Sequence, residues 1–324
     1  MCTGITYSTQ DHYFGRNLDL ELSYGQKVVV TPRNFTFPFR KIDEMTSHYA
    51  MIGMSAVVDD YPLYFDASNE KGLSMAGLAF TGNAYYFPED PNKVNVSPFE
   101  FIPYVLGQCA SIDEVKALLK DLNLVKINFS DKLPLSPLHW LIADREHSIV
   151  VESVKEGLKV YDNPVGVLTN NPSFDMQLFS LNNYRALSPV ATSNRFSDKL
   201  ELDEYSRGMG TLGLPGDLTS TSRFVKATFT KFNVIPGQGE ADSVSQFFHI
   251  LHSVEQQKGL CNVGNDEFEY TIYSSCCNVD KGIYYYTTYN NNQITGVNMH
   301  HTDLDGDSLS LFTVIDDQQI NMVN

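Results

Sequence analysis

The sequence predicts an α+β fold of antiparallel sheets with helices packed outside them, and three observations carry that prediction. Most apolar residues fall in short runs bounded by Gly, Pro, Asn or Asp, the pattern of half-buried strands. Helical spacing is confined to two blocks rather than alternating with the strands, which disfavours a doubly wound parallel fold. No Pro/Gly/Ser-rich linker, composition break or internal repeat divides the 324 residues, and with 42% hydrophobic residues one domain with a substantial core is expected.

The strands begin at once: CTGITYS, a polar turn at Gln10 to His12, YFGRNLDL, then KVVVTPRN. Further strands fit YAMIGMSAVV, YPLYFDASNE, GLSMAGLAF, PLHWLIAD, SIVVESV and GVLTN, and the last quarter adds EYTIYSS, GIYYYTTYN, QITGVNM and SLSLFTVI. The first helical block opens with Ser97-Pro98-Phe99-Glu100, a capping box with Pro at the first helical position. A second box, Ser111-Ile112-Asp113-Glu114, leads into a stripe of Val115, Leu118, Leu119 and Leu122. The other block spans about Ser220 to Phe232 and about Asp242 to Gln256, with Phe247, Phe248, Leu251 and Val254 on one side.

Charge and composition exclude several functions. With 23 Lys plus Arg against 39 Asp plus Glu, the net charge of -16 repels a phosphate backbone, so nucleic acid is not an expected partner. An anionic ligand would need apolar contacts or a local cation. The N-terminus has neither a basic leader nor an apolar run of signal-peptide length, and no stretch approaches about 18 uninterrupted apolar residues, so a cytoplasmic protein without a membrane anchor is expected. Five irregularly spaced cysteines argue for reduced thiols, and Cys276 and Cys277 alternate faces of a strand, where they pack rather than chelate. His300 and His301 precede Asp303, Asp305 and Asp307, but a calcium loop starting at Asp303 would place Ser308 where Gly is needed and Val314 where Glu is needed. A polar turn is expected there, with no metal and no cofactor anywhere in the chain. His139, inside the apolar run PLHWLIA, reads as a core histidine rather than a base.

The chemistry centres on Cys2. Removal of Met1, favoured when residue two is small, would leave a thiol and a free α-amino group on one residue. An α-amino group with an ordinary pKa of about 7.7 to 8.0 can serve as general base for that thiol at neutral pH. Arg16 and Asp19 follow the first hairpin, which should bring them beside Cys2. The guanidinium would favour thiolate, and the carboxylate could orient the amine. Taken alone, each of these features has an ordinary alternative: an incidental second residue, or two surface charges.

Taken together, Cys2-Thr3-Gly4, Phe14-Gly15-Arg16-Asn17-Leu18-Asp19, Asn69-Glu70-Lys71-Gly72-Leu73, Ala76-Gly77-Leu78, Pro137-Leu138-His139-Trp140, Leu168-Thr169-Asn170-Asn171-Pro172, Gly213-Leu214-Pro215-Gly216-Asp217 and Ser222-Arg223-Phe224 resemble, in order and nearly end to end, the landmarks of the choloylglycine hydrolase family of bile salt hydrolases and penicillin V acylases. The resemblance implies an N-terminal-nucleophile fold, a four-layer αββα sandwich of two antiparallel sheets between helix layers. It implies that Cys2 attacks an amide carbonyl, that Arg16 and Asp19 tune and orient it, that Asn170 serves the oxyanion and that Arg223 organises the site. Leu20, Tyr24, Phe65, Leu133 and Leu135 fall where pocket loops for a conjugated bile salt would lie, and a homotetramer is expected on the same ground. Position 79 departs from the pattern. Bile salt hydrolases usually carry Asn there and penicillin V acylases often Tyr, whereas Ala79 offers the substrate site no donor. The expected activity is cleavage of glycine- or taurine-conjugated bile salts. Penicillin V cleavage, and a catalytically impaired bile-acid binder, are the alternatives.

Overall fold

The computed structural model describes residues 1–324. In chain order the first strands are β1 (Cys2–Ser8), β2 (His12–Leu20), β3 (Lys27–Thr31), β4 (Met51–Val58), β5 (Tyr61–Asn69), β6 (Ser74–Ala79) and β7 (Val94–Val96). Helices α1 (Phe101–Leu106) and α2 (Ile112–Leu118) precede β8 (Leu122–Leu124), β9 (Leu138–Ala143), β10 (Ser148–Val154), β11 (Gly157–Asp162) and β12 (Val167–Leu168). After α3 (Phe174–Ser180), α4 (Ser220–Asn233) and α5 (Glu240–His252) come β13 (Cys261–Gly264), β14 (Glu267–Asn278), β15 (Ile283–Thr288), β16 (Thr295–Asn298) and β17 (Ser310–Thr313).

Two antiparallel sheets hold nearly all the strands. One runs β12-β1-β2-β14-β15-β16, with β13 paired to β14, and the other runs β11-β10-β9-β6-β5-β4-β3-β17. Period-two alternation decides which side chains meet which layer. In the second sheet Val28, Val30, Ile52, Met54, Ala76, Leu78, Leu141, Ala143 and Val150 join Cys2, Phe14 and Leu18 of the first sheet in a shared apolar layer. Their neighbours Val29, Met51, Met75, Trp140, Ile142, Ile149 and Val151 turn the other way, onto Phe101, Ile102, Val105 and Leu106 of α1 and Ile112 and Val115 of α2. The remaining face of the first sheet is covered by α4 and α5, whose Phe224, Ala227, Val244, Phe247 and Leu251 are buried. The layers are therefore helix, sheet, sheet, helix, the α+β sandwich that the sequence predicts.

Several elements differ from the sequence reading. The capping glutamates behave differently: Glu100 accepts from Ser97 N–H at 2.8 Å and opens a single tight turn before α1, whereas Glu114 reaches back to Ala110 N–H at 2.6 Å. The last helix ends at His252, and Ser253 to Gln256 turn toward β14. The short strands β7 and β8 pair in parallel, and β11, β13 and α3 have no counterpart in the predicted elements. In α3 only Phe174 and Gln177 are buried, one of them polar, so its apolar stripe is too thin to register. The His300 to Asp307 segment is a turn between β16 and β17, where Asp305 accepts from Arg33 Nη1 at 2.6 Å.

Candidate active site

Cys2 opens β1, the second strand of the first sheet. On one side β1 pairs with β12 through Gly4–Leu168 and Ile5–Val167, which delivers Asn170 just past the end of β12. On the other side Cys2 lies opposite Leu18, and Gly4 opposite Arg16. Directly paired residues share a face, so Arg16 and Leu18 project with the Cys2 side chain into the space between the sheets. Asp19, three residues from Arg16, points to the opposite, helix-covered face. Glycine is required at position 15, where a Cβ would meet the Ser275 carbonyl oxygen of β14 at 1.9 Å.

Arg16 is fully buried and crosses to the second sheet. Its Nη1 donates to the carbonyls of Gly77 and, at 3.0 Å, Phe65. The Phe65 carbonyl is free because β5 carries a bulge: Met54 pairs with Asp66 and Ser55 with Tyr64, leaving Phe65 as the extra residue. Nη2 of Arg16 has no acceptor although it is buried, and a cation in that state suits a nearby anion. Burial alone would lower the Arg16 pKa, but Cys2, Tyr273, Asp66 and Asp19 outweigh it and the net shift is upward, so the guanidinium stays charged.

From the helix face, Arg223 of α4 spends every branch of its fork. Nε donates to Leu218 O at 3.0 Å, Nη1 to Cys2 O at 2.5 Å and Thr3 Oγ1 at 2.6 Å, and Nη2 to Asn170 Oδ1 at 2.7 Å. Asn170 Oδ1 also accepts from Cys2 N at 2.8 Å, while its Nδ2 donates to the Ala79 carbonyl at 2.8 Å. Two donors on one end and an acceptor on the other fix the amide's orientation, and leave one Nδ2 hydrogen for a substrate oxygen. The Asp19 carboxylate accepts from Thr271 Oγ1 at 2.6 Å and Gln256 Nε2 at 3.3 Å, and lies 3.8 Å from Arg223 Nη1. Asp19 meets the N-terminus through its backbone: Met1 N donates to Asp19 O at 2.8 Å, and Asp19 N donates to Met1 O at 3.0 Å. The Met1 amine also pairs with the Glu269 carboxylate. Burial lowers the pKa of that amine, Cys2 and Asp19 partly offset the drop, and Arg223 and Arg16 add to it.

A sequence model of the choloylglycine hydrolase family, linear amide C–N hydrolases, matches residues 2–313. The chain belongs to this family. Over 324 residues, all of both chains, it is 60% identical to a protein of Lactiplantibacillus plantarum named bile salt hydrolase/transferase. It is 40% identical to the protein of the same name from Clostridium perfringens, again across all of both chains. A crystal structure of a variant conjugated bile acid hydrolase from Clostridium perfringens superposes with a TM-score of 0.92 at 40% identity, covering all of both chains. Penicillin V acylase from Agrobacterium tumefaciens shares the fold, with a TM-score of 0.76 at 19% identity over 99% of this chain and all of that one. The architecture is thus that of an N-terminal-nucleophile hydrolase.

Cys2, Arg16, Asp19, Asn170 and Arg223, the five candidates that the sequence singles out, converge at the head of β1 and are all buried. The pocket candidates divide. Leu20 and Phe65 are half-buried against the shared core, and the Phe65 ring lies 6.1 Å from that of Tyr24, which is 49% exposed. Leu133 and Leu135 sit half-buried in the loop before β9, where Leu135 N–H is held by Asn128 Oδ1 at 3.1 Å. Ala79 ends β6, and its carbonyl accepts from Asn170 Nδ2 and so helps to orient that amide, while its methyl side chain donates nothing. His139 is fully buried, bound to Glu152 Oε1 at 3.1 Å and Thr169 O at 2.9 Å, and stacks on Phe80 at 4.3 Å, as a core histidine does. Sequence reasoning missed Thr271, Gln256, Glu269 and Asp66, which support the site from β14, the segment after α5, and β5. Only the alternation of EYTIYSS offered a signal, since it sets Thr271 apart from its neighbours.

Proposed function

We propose that this chain hydrolyses the amide bond joining glycine or taurine to a bile acid, with Cys2 as an N-terminal nucleophile exposed by loss of Met1. The observation that carries the reading is the buried convergence of Cys2 with Arg16, Asn170 and Arg223, in a chain 60% identical end to end to a protein named for bile salt hydrolysis. With Met1 gone, the Cys2 nitrogen becomes the α-amine and retains Asn170 Oδ1 as its acceptor. The thiolate, facing Arg16, attacks the amide carbonyl. The remaining Asn170 N–H is available to the developing oxyanion. Collapse breaks the C–N bond as the α-ammonium protonates the leaving amine, and a thioester remains on Cys2. Water, deprotonated by the α-amine, attacks the thioester and releases the bile acid and the thiolate. An amine in place of water would give acyl transfer, the second activity in the names of both relatives.

Half-buried Leu20 and Phe65, with Tyr24, supply the apolar contacts that a steroid ring needs from a protein of net charge -16. The chain is assigned as one domain acting in the cytoplasm, without cofactor or metal. A homotetramer is proposed on the family resemblance alone. Penicillin V is the alternative substrate, disfavoured by the lack of Tyr at position 79. A binder without turnover is the reading that Ala79 favours. Incubation with glycocholate, taurocholate and penicillin V, with assay of free amine and intact mass, separates the three. Amine release from the bile salts by a chain lacking Met1 supports the proposal, release from penicillin V alone overturns it, and release from none supports the silent binder.

A further inference from the structure

Behind Arg16, on the side away from the helices, lies a second carboxylate that the proposed chemistry does not use. Asp66 of β5 is 1% exposed and projects from the second sheet into the first. Its Oδ2 accepts from Tyr273 OH at 2.7 Å, and its Oδ1 accepts from Tyr284 OH at 2.7 Å and Ser275 Oγ at 3.4 Å. Ser275 Oγ also accepts from the backbone N–H of Arg16 at 3.1 Å. Asp66 directly follows Phe65, whose carbonyl, freed by the bulge, holds Arg16 Nη1.

We infer that Asp66, latched between Tyr273 and Tyr284, is a positioning residue whose buried charge fixes Arg16 and sets the ionisation of the Cys2 thiol. A purely structural latch between sheets would be served as well by apolar side chains, since burying a carboxylate is costly. Here three hydroxyls converge on one carboxylate in the same inter-sheet layer that holds Arg16 and Cys2. The charged and titratable groups that face it are Arg16 from β2, Tyr273 and Cys277 from β14 and Tyr284 from β15. Burial raises the Asp66 pKa, and Arg16 and the three hydroxyls oppose that rise. Burial and then Asp66 itself hold both phenols well above their ordinary range, so they remain O–H donors. The carboxylate thus screens Arg16. Without its negative charge the guanidinium would favour the Cys2 thiolate more strongly.

The inference rests on Cys2 lying beside Arg16, but its test does not depend on Cys2 being catalytic. Protein lacking Met1 is alkylated with iodoacetamide across pH, and the rate at Cys2 is read by peptide mass spectrometry, separately from half-buried Cys261. In Asp66→Asn, which preserves shape and removes charge, the Cys2 alkylation profile is expected to move down by about one pH unit. That is the effect of a unit charge roughly 10 Å away at an effective dielectric near 20. At a pH below both midpoints the thiolate fraction would be about tenfold higher than in the parent and, since a less basic thiolate is a weaker nucleophile, the labelling roughly threefold faster. Tyr284→Phe, which removes one donor and so raises the fraction of Asp66 that is protonated, should move the profile the same way by less, and serves if Asp66→Asn does not fold. Superimposable profiles for a folded variant, or a shift upward, would overturn the inference. Amine release from glycocholate measured on the same samples reports separately on the proposed function.

Discussion

Replacing Arg223 by Lys isolates the geometry of the site from its charge. The guanidinium donates to Leu218, Cys2, Thr3 and Asn170 from three nitrogens spread across a plane. An ammonium offers three hydrogens from one point at the end of a flexible stem, and cannot reach Asn170 and the Leu218 carbonyl together. At least two of the four bonds should go. At about 1.5 to 3 kcal/mol for each bond to a charged group, the loss of organisation is about 3 to 6 kcal/mol. Because lysine keeps a positive charge at position 223, where Arg223 Nη1 lies 3.8 Å from Asp19, most of that loss should fall on the placement of Asn170 and the Cys2 backbone rather than on charge balance. Arg223→Lys is therefore expected to lower kcat/KM for glycocholate by about 100- to 10,000-fold, at roughly 1.4 kcal/mol per decade. Free glycine release gives the rate, and intact mass confirms that Met1 has been processed as in the parent. A variant with the same mass and a kcat/KM within threefold of the parent would refute the argument that the fork holds the site together.

Other outcomes follow from the same contacts. Ala79→Asn adds an amide donor at the end of β6 and should raise kcat for glycocholate, by up to about 100-fold if the oxyanion lacks a partner; unchanged kcat would mean that the backbone already supplies it. Thr271→Val removes the 2.6 Å bond to Asp19 and should lower kcat by about tenfold while leaving KM within a factor of two, which steady-state kinetics can read. His12 is buried and its pKa is pushed down to about 4, chiefly by desolvation. Between its ordinary 6.5 and about 4 the unfolded chain binds the extra proton, so its contribution to stability is present above pH 6.5 and is lost as pH falls through that window, by at most about 3 kcal/mol. Thermal melts from pH 7 to pH 4.5 should show a smaller drop for His12→Gln than for the parent.

The strands and their two-layer burial were legible because alternation is a local property: in KVVVT the outer residues of the valine triplet face one sheet and the middle one faces the helices. Arg16 and Asp19 could be placed near Cys2 because a short hairpin forces adjacency. Their division between opposite faces follows from a separation of three along a strand, yet it acquires meaning only once the second sheet and α4 are in place. Residues that support the site from afar left no local trace. Asp66 and Thr271 lie 207 and 252 positions from Tyr273 and Asp19, their respective partners. The two bulges that bring them there, at Phe65 and Ile272, are one-residue slips with no turn residue to announce them. The parallel pairing of β7 with β8 was likewise hidden, since three-residue strands are too short to show a period.

The central claim is that Cys2, once freed of Met1, carries the acyl group. Parent and Cys2→Ser proteins are incubated with glycocholate and quenched in acid, then digested and weighed peptide by peptide, with free glycine measured in parallel. The account predicts glycine release and a cholyl thioester on the peptide beginning at Cys2 for the parent, and neither thioester nor more than about one-thousandth of the glycine for Cys2→Ser. Glycine release by Cys2→Ser at the parent's rate would contradict it.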